Sequence, residues 1–144
     1  MPSQKLRRKK DFAPCEALEN DEVYNLGIFQ FNISRISEHI QKGILAGEQE
    51  DIDVVKWYHL HCTCKVNELH LHKVDTSDPV IQAEISPGKF EIIDGNHRLE
   101  KAYRNQIHFI PSFKILAKQL VNYFTQENGY VAFVNYWNQK LKDI

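Results

Sequence analysis

The sequence predicts an α/β protein with a mixed sheet, and three stretches carry that reading. Residues 80–93 hold two runs of β-forming residues joined at Pro87-Gly88, which is a hairpin. Residues 94–116 continue as turn, helix and strand, a unit that closes with a right-handed crossover. The hairpin brings antiparallel pairing and the crossover parallel pairing, so the sheet is mixed. Residues 117–144 carry an apolar, aromatic face at helical spacing, so helices close the chain.

The bulk properties set limits on function. The chain has 144 residues, 42% hydrophobic and 26% charged, enough for one globular domain with a real core. Its formal charge of −1 gives no overall field toward nucleic acid or membrane. Cys15, Cys62 and Cys64 are too few and too unevenly spaced for a disulfide framework. The first residues lack the apolar run of a secretory leader, and no stretch approaches membrane-spanning length. The expectation is a cytoplasmic protein with no membrane partner.

Taken in order, residues 1–20 read as a basic, disordered tail before a single domain over 21–144. Lys5, Arg7, Arg8, Lys9 and Lys10 form a cationic block, and Pro2 and Pro14 interrupt regular structure. Five of the 18 basic residues lie in this block, leaving 13 against 19 acidic ones in the rest of the chain. Such an arm is either solvated or a clamp on nucleic acid. Val23 to Phe31 supplies a first strand. Asn32 or Ser34 then caps a helix with Ile33, Ile36 and Ile40 on one face and Gly43 past its end. Glu48, Glu50, Asp51 and Asp53 mark a solvated acidic loop.

Ile52 to Leu60 holds β-formers with neither clean alternation nor helical spacing. Behind it come His59, His61, Cys62, Cys64, His70 and His72. If the segment were strand, His59 and His61 would share one face, and Cys62 and Cys64 the other. A zinc site needs four converging ligands, usually with paired Cys-x2-4-Cys spacing, and this pattern departs from it. The expected reading is therefore ordinary half-buried strand residues, with a metal site as the alternative.

Val80 to Ile85 alternates, with Ile81, Ala83 and Ile85 opposite Gln82 and Glu84. Ser86-Pro87-Gly88-Lys89 has the signature of a type II turn. Phe90 to Ile93 returns as a strand and runs into Asp94-Gly95-Asn96-His97-Arg98. Leu99, Ala102 and Tyr103 then follow helical spacing, and Glu100 and Arg104 form an i,i+4 pair. Asn96 is the predicted N-cap and Asn105 the C-cap. Helix starts attract anions, a glycine admits a ligand to the backbone, and Arg98 offers a fork that matches phosphate oxygens. Pro111 enters a strand over Ser112 to Leu116. Ala117 to Phe124 reads as a helix broken at Thr125–Gly129, and Tyr130, Phe133, Val134, Trp137 and Leu141 share one face of the last helix.

The segments 78–85, 90–102 and 109–115, with the Pro-Gly turn between the first two, resemble the core of the ParB/sulfiredoxin superfamily. The resemblance covers residues 66–116, with residues 117–144 as added C-terminal helices. It implies a ParB/sulfiredoxin-like fold in a stand-alone member. The family includes partition proteins that bind and hydrolyse CTP, sulfiredoxins that use ATP to repair a sulfinic acid, and a free-serine kinase that uses ADP. A nucleotide phosphate chain on the turn and helix start recurs among them. Carried over by position, Gly95, Asn96 and the next amides would cradle phosphate, His97 and Arg98 would contact its oxygens, and Asp94 would hold Mg²⁺ or act as a base.

The sequence departs from two of these members. Sulfiredoxins place a reactive cysteine before the His-Arg pair, where this chain has Asn96, which offers no thiol. Partition proteins read Gly-Glu-Arg-Arg there and continue into a helix-turn-helix domain, whereas only packing helices follow here. The resemblance therefore implies a domain that binds a nucleotide di- or triphosphate, or another phosphorylated small molecule, with Mg²⁺. Phosphotransfer and NTP hydrolysis are the expected reactions, with Asp94, His97 and Arg98 as catalytic residues and Glu84 or Glu68 as a second carboxylate. The alternatives are a ParB-like DNA-binding or nuclease module using the basic tail, and a non-catalytic regulatory domain.

Overall fold

Backbone pairing sorts the strands into a two-stranded ribbon and a mixed four-stranded sheet, accompanied by six α-helices among the described residues. The computed structural model describes residues 4–61 and 67–143. The elements run β1 (Val23–Leu26), β2 (Phe29–Asn32), α1 (Ile33–Gln41), β3 (Glu48–Asp53), α2 (Val54–His61) and α3 (Glu68–Leu71). They continue β4 (Val80–Ser86), β5 (Lys89–Asp94), α4 (Asn96–Arg104), β6 (Phe109–Ile115), α5 (Ala117–Leu120), a 3₁₀ turn (Val121–Tyr123) and α6 (Glu127–Lys142). The sheet order is β3-β6-β4-β5.

By contacts within the chain the described residues fall into two compact units. One comprises the described residues through Gly47, Ala83–Glu91 and those from Ile115 onward; the other comprises those of Glu48–Gln82 and Ile92–Lys114. The first unit has an aromatic core. Phe31, Phe124, Tyr130, Phe133 and Trp137 are buried, and Phe124 and Phe133 rings lie 5.1 Å apart. The strand expected over Val23 to Phe31 is a hairpin, because Gly27 at φ +63° turns the chain and Tyr24 pairs with Phe31. Asn32 caps α1 as one of the two expected candidates, its Oδ1 accepting the Arg35 N–H at 2.9 Å. α6 starts at Glu127, ahead of the expected break's end, and contains Gly129. A β-carbon on Gly129 would lie 2.5 Å from the Ile28 carbonyl oxygen, so glycine lets the ribbon close on this helix.

The disordered tail expected over residues 1–20 is, in its described part, an ordered strap on α6. Trp137 Nε1 donates to the Gln4 carbonyl at 2.8 Å, and the Asn138 amide bonds both backbone groups of Leu6 at 2.9 Å. Tyr130 Oη accepts the Lys9 N–H at 2.8 Å, and Phe12 stacks on the Tyr130 ring at 4.0 Å. The strap needs no helix or strand, because α6 side chains supply the partners its backbone requires. The basic side chains Lys5, Arg7, Arg8, Lys9 and Lys10 remain exposed.

In the second unit, Ile52, Val54, Val80, Ile92, Leu99, Ala102 and Ile110 form one buried cluster, with Trp57, Tyr103 and Ile107 packed against it. The acidic stretch expected as a loop is strand β3. Its partner β6 supplies the pairing in antiparallel register, Ile52 opposite Ile110, and Glu50 meets Lys114 at 3.0 Å. The ambiguous stretch after it is helix α2. His59 therefore sits on a helix, which removes the strand faces assumed for the histidine and cysteine cluster. Cys62, Cys64 and the side chain of His61 lie outside the described residues.

The hairpin appears where expected, with Gly88 at φ +73°, the sign required at the second central place of a type II turn. β4 is buried on both faces rather than alternating, as an interior strand should be. Gln82 is accommodated by donating to Ser112 Oγ at 2.9 Å. β6 starts at Phe109, and Pro111 lies within it rather than before it. No helix of the described residues is long and apolar enough to cross a membrane.

Candidate functional site

Strand β5 delivers Asp94 to the rim of the second unit, and Gly95 then turns the chain into α4. Gly95 has φ +102°, a conformation that L side chains rarely adopt. A second constraint applies at the same atom: a β-carbon there would lie 2.6 Å from Val80 Cγ1. Gly95 is itself the N-cap, so the expected cap Asn96 is the first helical residue instead. This placement has a chemical consequence. A glycine cap has no side chain to bond the amides of Asn96, His97 and Arg98, and the first turn holds no acidic residue. The first α-helical bond runs from Leu99 N–H to the Gly95 carbonyl at 3.1 Å. The first turn of α4 thus brings no carboxylate of its own to the positive dipole end, and Asp94 stands just before the cap.

The five motif residues, Asp94 to Arg98, are all half-buried and contiguous, but their side chains are engaged differently. Arg98 folds back so that Nη1 donates to the Pro79 carbonyl at 2.6 Å. That anchors the guanidinium beside Gly95 with its other nitrogens unbonded to described residues. His97 Nε2 accepts the backbone N–H of Asn67 at 3.3 Å, so in the neutral ring the proton sits on Nδ1. The His70 ring meets His97 edge-on at 4.6 Å. Burial, and then the neighbouring His70, push the His97 pKa below the ordinary histidine value. Asp94 has no hydrogen bond or ion pair to a described side chain.

The segment after α3 wraps this helix. Lys101 Nζ donates to the Val74 carbonyl at 2.7 Å and lies 3.4 Å from that of His72. Asp75 is held below the usual carboxylate range chiefly by the Ser77 hydroxyl and amide, with Lys101 and Arg98 adding to it. Arg104 forks onto Glu68 at 2.6 and 2.8 Å and reaches Glu100 at 3.5 Å.

Both candidates for the expected second carboxylate are committed elsewhere. Glu68 is occupied by Arg104, whose hydrogen bonds lower its pKa. Glu84 takes the Gly88 amide on one oxygen at 3.1 Å and the Ala117 amide on the other at 3.2 Å. Among the described residues no three His, Cys, Asp or Glu side chains converge as a metal cage. Asp94 alone is a sufficient protein ligand for a Mg²⁺ ion that arrives on phosphate and keeps its waters, so the residues fit that mode.

Sequence reasoning found the turn and missed its supports: Pro79, Asn67 and His70. The first two act through backbone groups, which carry no residue signature. It also missed a cleft of about 570 Å³ between α2 and the far half of α4, lined in part by Val55, Tyr58, Glu100, Tyr103, Arg104 and Ile107. No family model, curated protein or solved structure matches the chain.

Proposed function

We propose that the start of α4 seats a phosphate group of a nucleotide or other phosphorylated small molecule, in a ParB/sulfiredoxin-like domain. The observation that carries this reading is the uncapped, acid-free first turn behind a left-handed glycine. Backbone N–H groups in that arrangement make an anion seat, and Arg98 stands beside it already anchored. Asp94, without a partner among the described side chains, would hold Mg²⁺ carried on the phosphates. NTP hydrolysis or phosphotransfer would need little more from the protein than such positioning. His97 would meet the anion as a neutral ring donating from Nδ1, since Nε2 already accepts from Asn67.

The rival reading is a nucleic-acid or nuclease module, favoured by the strap that holds Lys5, Arg7, Arg8, Lys9 and Lys10 exposed on α6. A phosphate backbone would then take the place of the nucleotide, with affinity falling steeply in salt.

Asn96→Asp tests the seat. An acidic residue in the first turn suits the helix dipole, worth about 0.3–1 kcal/mol, while repelling a bound anion. Titrating inorganic phosphate and a panel of nucleotides, with and without Mg²⁺, should give binding to the natural protein that Asn96→Asp abolishes while its melting temperature holds or rises. Unchanged binding in that variant would remove the seat from α4.

A further inference from the structure

We propose that the outer edge of β3 takes an extended peptide segment rich in Lys or Arg as an added strand of the sheet. The proposal does not depend on the phosphate seat at the start of α4.

The backbone comes first. β3 ends the sheet order β3-β6-β4-β5, so only one of its sides pairs with a described strand. In an antiparallel pair, residues alternate between turning both backbone groups to the partner and turning both away. Val54 N–H donates to the His108 carbonyl at 2.9 Å, and the Ser112 hydroxyl donates to the Glu50 carbonyl. With Ile52 opposite Ile110 and Glu50 opposite Ser112, the even-numbered residues therefore face β6. Gln49 and Asp51 turn their N–H and C=O groups to the open side. Five of the six residues of β3 are exposed, with Ile52 alone buried, so that side is open to a ligand. An added strand satisfies the groups of both residues at once.

Charge then selects the strand. Glu48, Glu50, Asp51 and Asp53 put carboxylates on both faces of β3. Glu50 meets Lys114 at 3.0 Å, and Asp53 Oδ1 accepts the Lys56 N–H at 3.2 Å. Glu48 and Asp51 hold no hydrogen bond or ion pair with a described side chain. Opposite charges across a strand pair contribute about 0.2–1 kcal/mol each, and like charges cost energy. A second copy of β3 would set acid against acid, so the edge disfavours self-pairing. Charge of either sign is enough to blunt an edge against aggregation. A run of one sign does more, because it leaves a cationic strand as the partner that fits.

The test uses the full chain and two capped peptides, one alternating Lys and Val and the other Glu and Val. The Lys-Val peptide should bind in calorimetry and slow hydrogen exchange at the Gln49 and Asp51 amides. The Glu-Val peptide should bind at least about tenfold more weakly, the sum of a few cross-strand charge pairs. Asp51→Pro removes one outward N–H and leaves the β6 pairing whole, since an edge strand accepts proline on its open side. It should weaken Lys-Val binding more than Asp51→Asn, which loses the charge and keeps the N–H. Equal affinity for the two peptides, or no Lys-Val binding at millimolar concentration, would overturn the proposal. So would binding without exchange protection at Gln49, or equal affinity in Asp51→Pro and Asp51→Asn. Should Asp51→Pro not fold, a Lys-Val peptide methylated on its backbone nitrogens decides with the natural protein. Lost binding supports the added strand, and retained binding overturns it.

Discussion

Arg98 donates through Nη1 to the Pro79 carbonyl at 2.6 Å, tying the first turn of α4 to the residue that enters β4. One side chain therefore serves the fold and, under the proposed function, the ligand. Arg98→Ala should lower stability by about 1–2 kcal/mol by removing a charged hydrogen bond. It should also weaken phosphate or nucleotide binding by roughly 1.5–3 kcal/mol. Arg98→Lys can restore charge but not the fork, so it should recover only part of the affinity. Melting curves beside calorimetry separate the two roles. Equal affinities with a lowered melting temperature would make Arg98 structural alone.

Gly95 is constrained twice, by φ +102° and by Val80 Cγ1 at 2.6 Å from any added β-carbon. Gly95→Ala should cost about 1–2 kcal/mol for the backbone and a further 1–3 kcal/mol for overpacking. Val80→Ala in the same chain would remove the Cγ1 clash but keep the Val80 Cβ at 2.9 Å, so it would relieve only some of the second part. Urea unfolding of the two single variants and the double variant gives the coupling, and strict additivity would show that the Val80 side chain does not matter.

Legibility in the sequence followed how local each cause was. The Pro87-Gly88 turn, the Asn32 cap and the Gly95 turn are specified within a few residues, and each appeared. Strand β3 was hidden because only Ile52 points to the core while its pairing comes from β6, far along the chain. Helix α2 was hidden because exposed Val55 and Leu60 obscure the pair that meets the buried cluster, Val54 and Trp57, while Tyr58 stacks on Tyr103. The strap failed for a similar reason: its basic residues mask Leu6 and Phe12, and its partners are side chains of α6. At the candidate site, the turn from Asp94 to Arg98 was legible as a structure, whereas Asn67 and Pro79 contribute backbone groups that any residue could offer.

His97 sets a pH dependence with a definite sign. Its folded pKa lies below the ordinary value of 6.5, so the unfolded chain takes up that proton first as pH falls. The contribution is fully present above about pH 6.5 and declines as pH drops through that value toward the folded pKa. The depressed carboxylates Glu68 and Asp75 titrate from ordinary values of 4.5 and 3.8, so their losses come in a lower window. Unfolding free energies at about pH 7.5 and 5.5 should differ for the natural protein and differ less for His97→Gln. The same pH slope in both would dissociate His97 from the effect.

The strap makes the last prediction, which runs against its cationic composition. Phe12 stacks on Tyr130, and Trp137, itself 2% exposed, has the Gln4 carbonyl as acceptor for its indole N–H. Deleting residues 4–12 would uncover the Tyr130 ring and leave that N–H without its partner. Partial burial of one aromatic ring and one orphaned donor together amount to at least about 2 kcal/mol. Charge is a separate matter, because Lys5, Arg7, Arg8 and Lys10 are exposed and their side chains bond no described residue. Changing those four to Gln should move stability by no more than about 0.5 kcal/mol, as for other surface substitutions. If nucleic acid is bound, the same change should flatten its salt dependence by about one unit of slope for every phosphate that no longer meets a cation. Urea midpoints of the deletion and the four-fold variant decide between a docked strap and a solvated arm. An unchanged midpoint in the deletion would mean that residues 4–12 contribute nothing to the packing of α6.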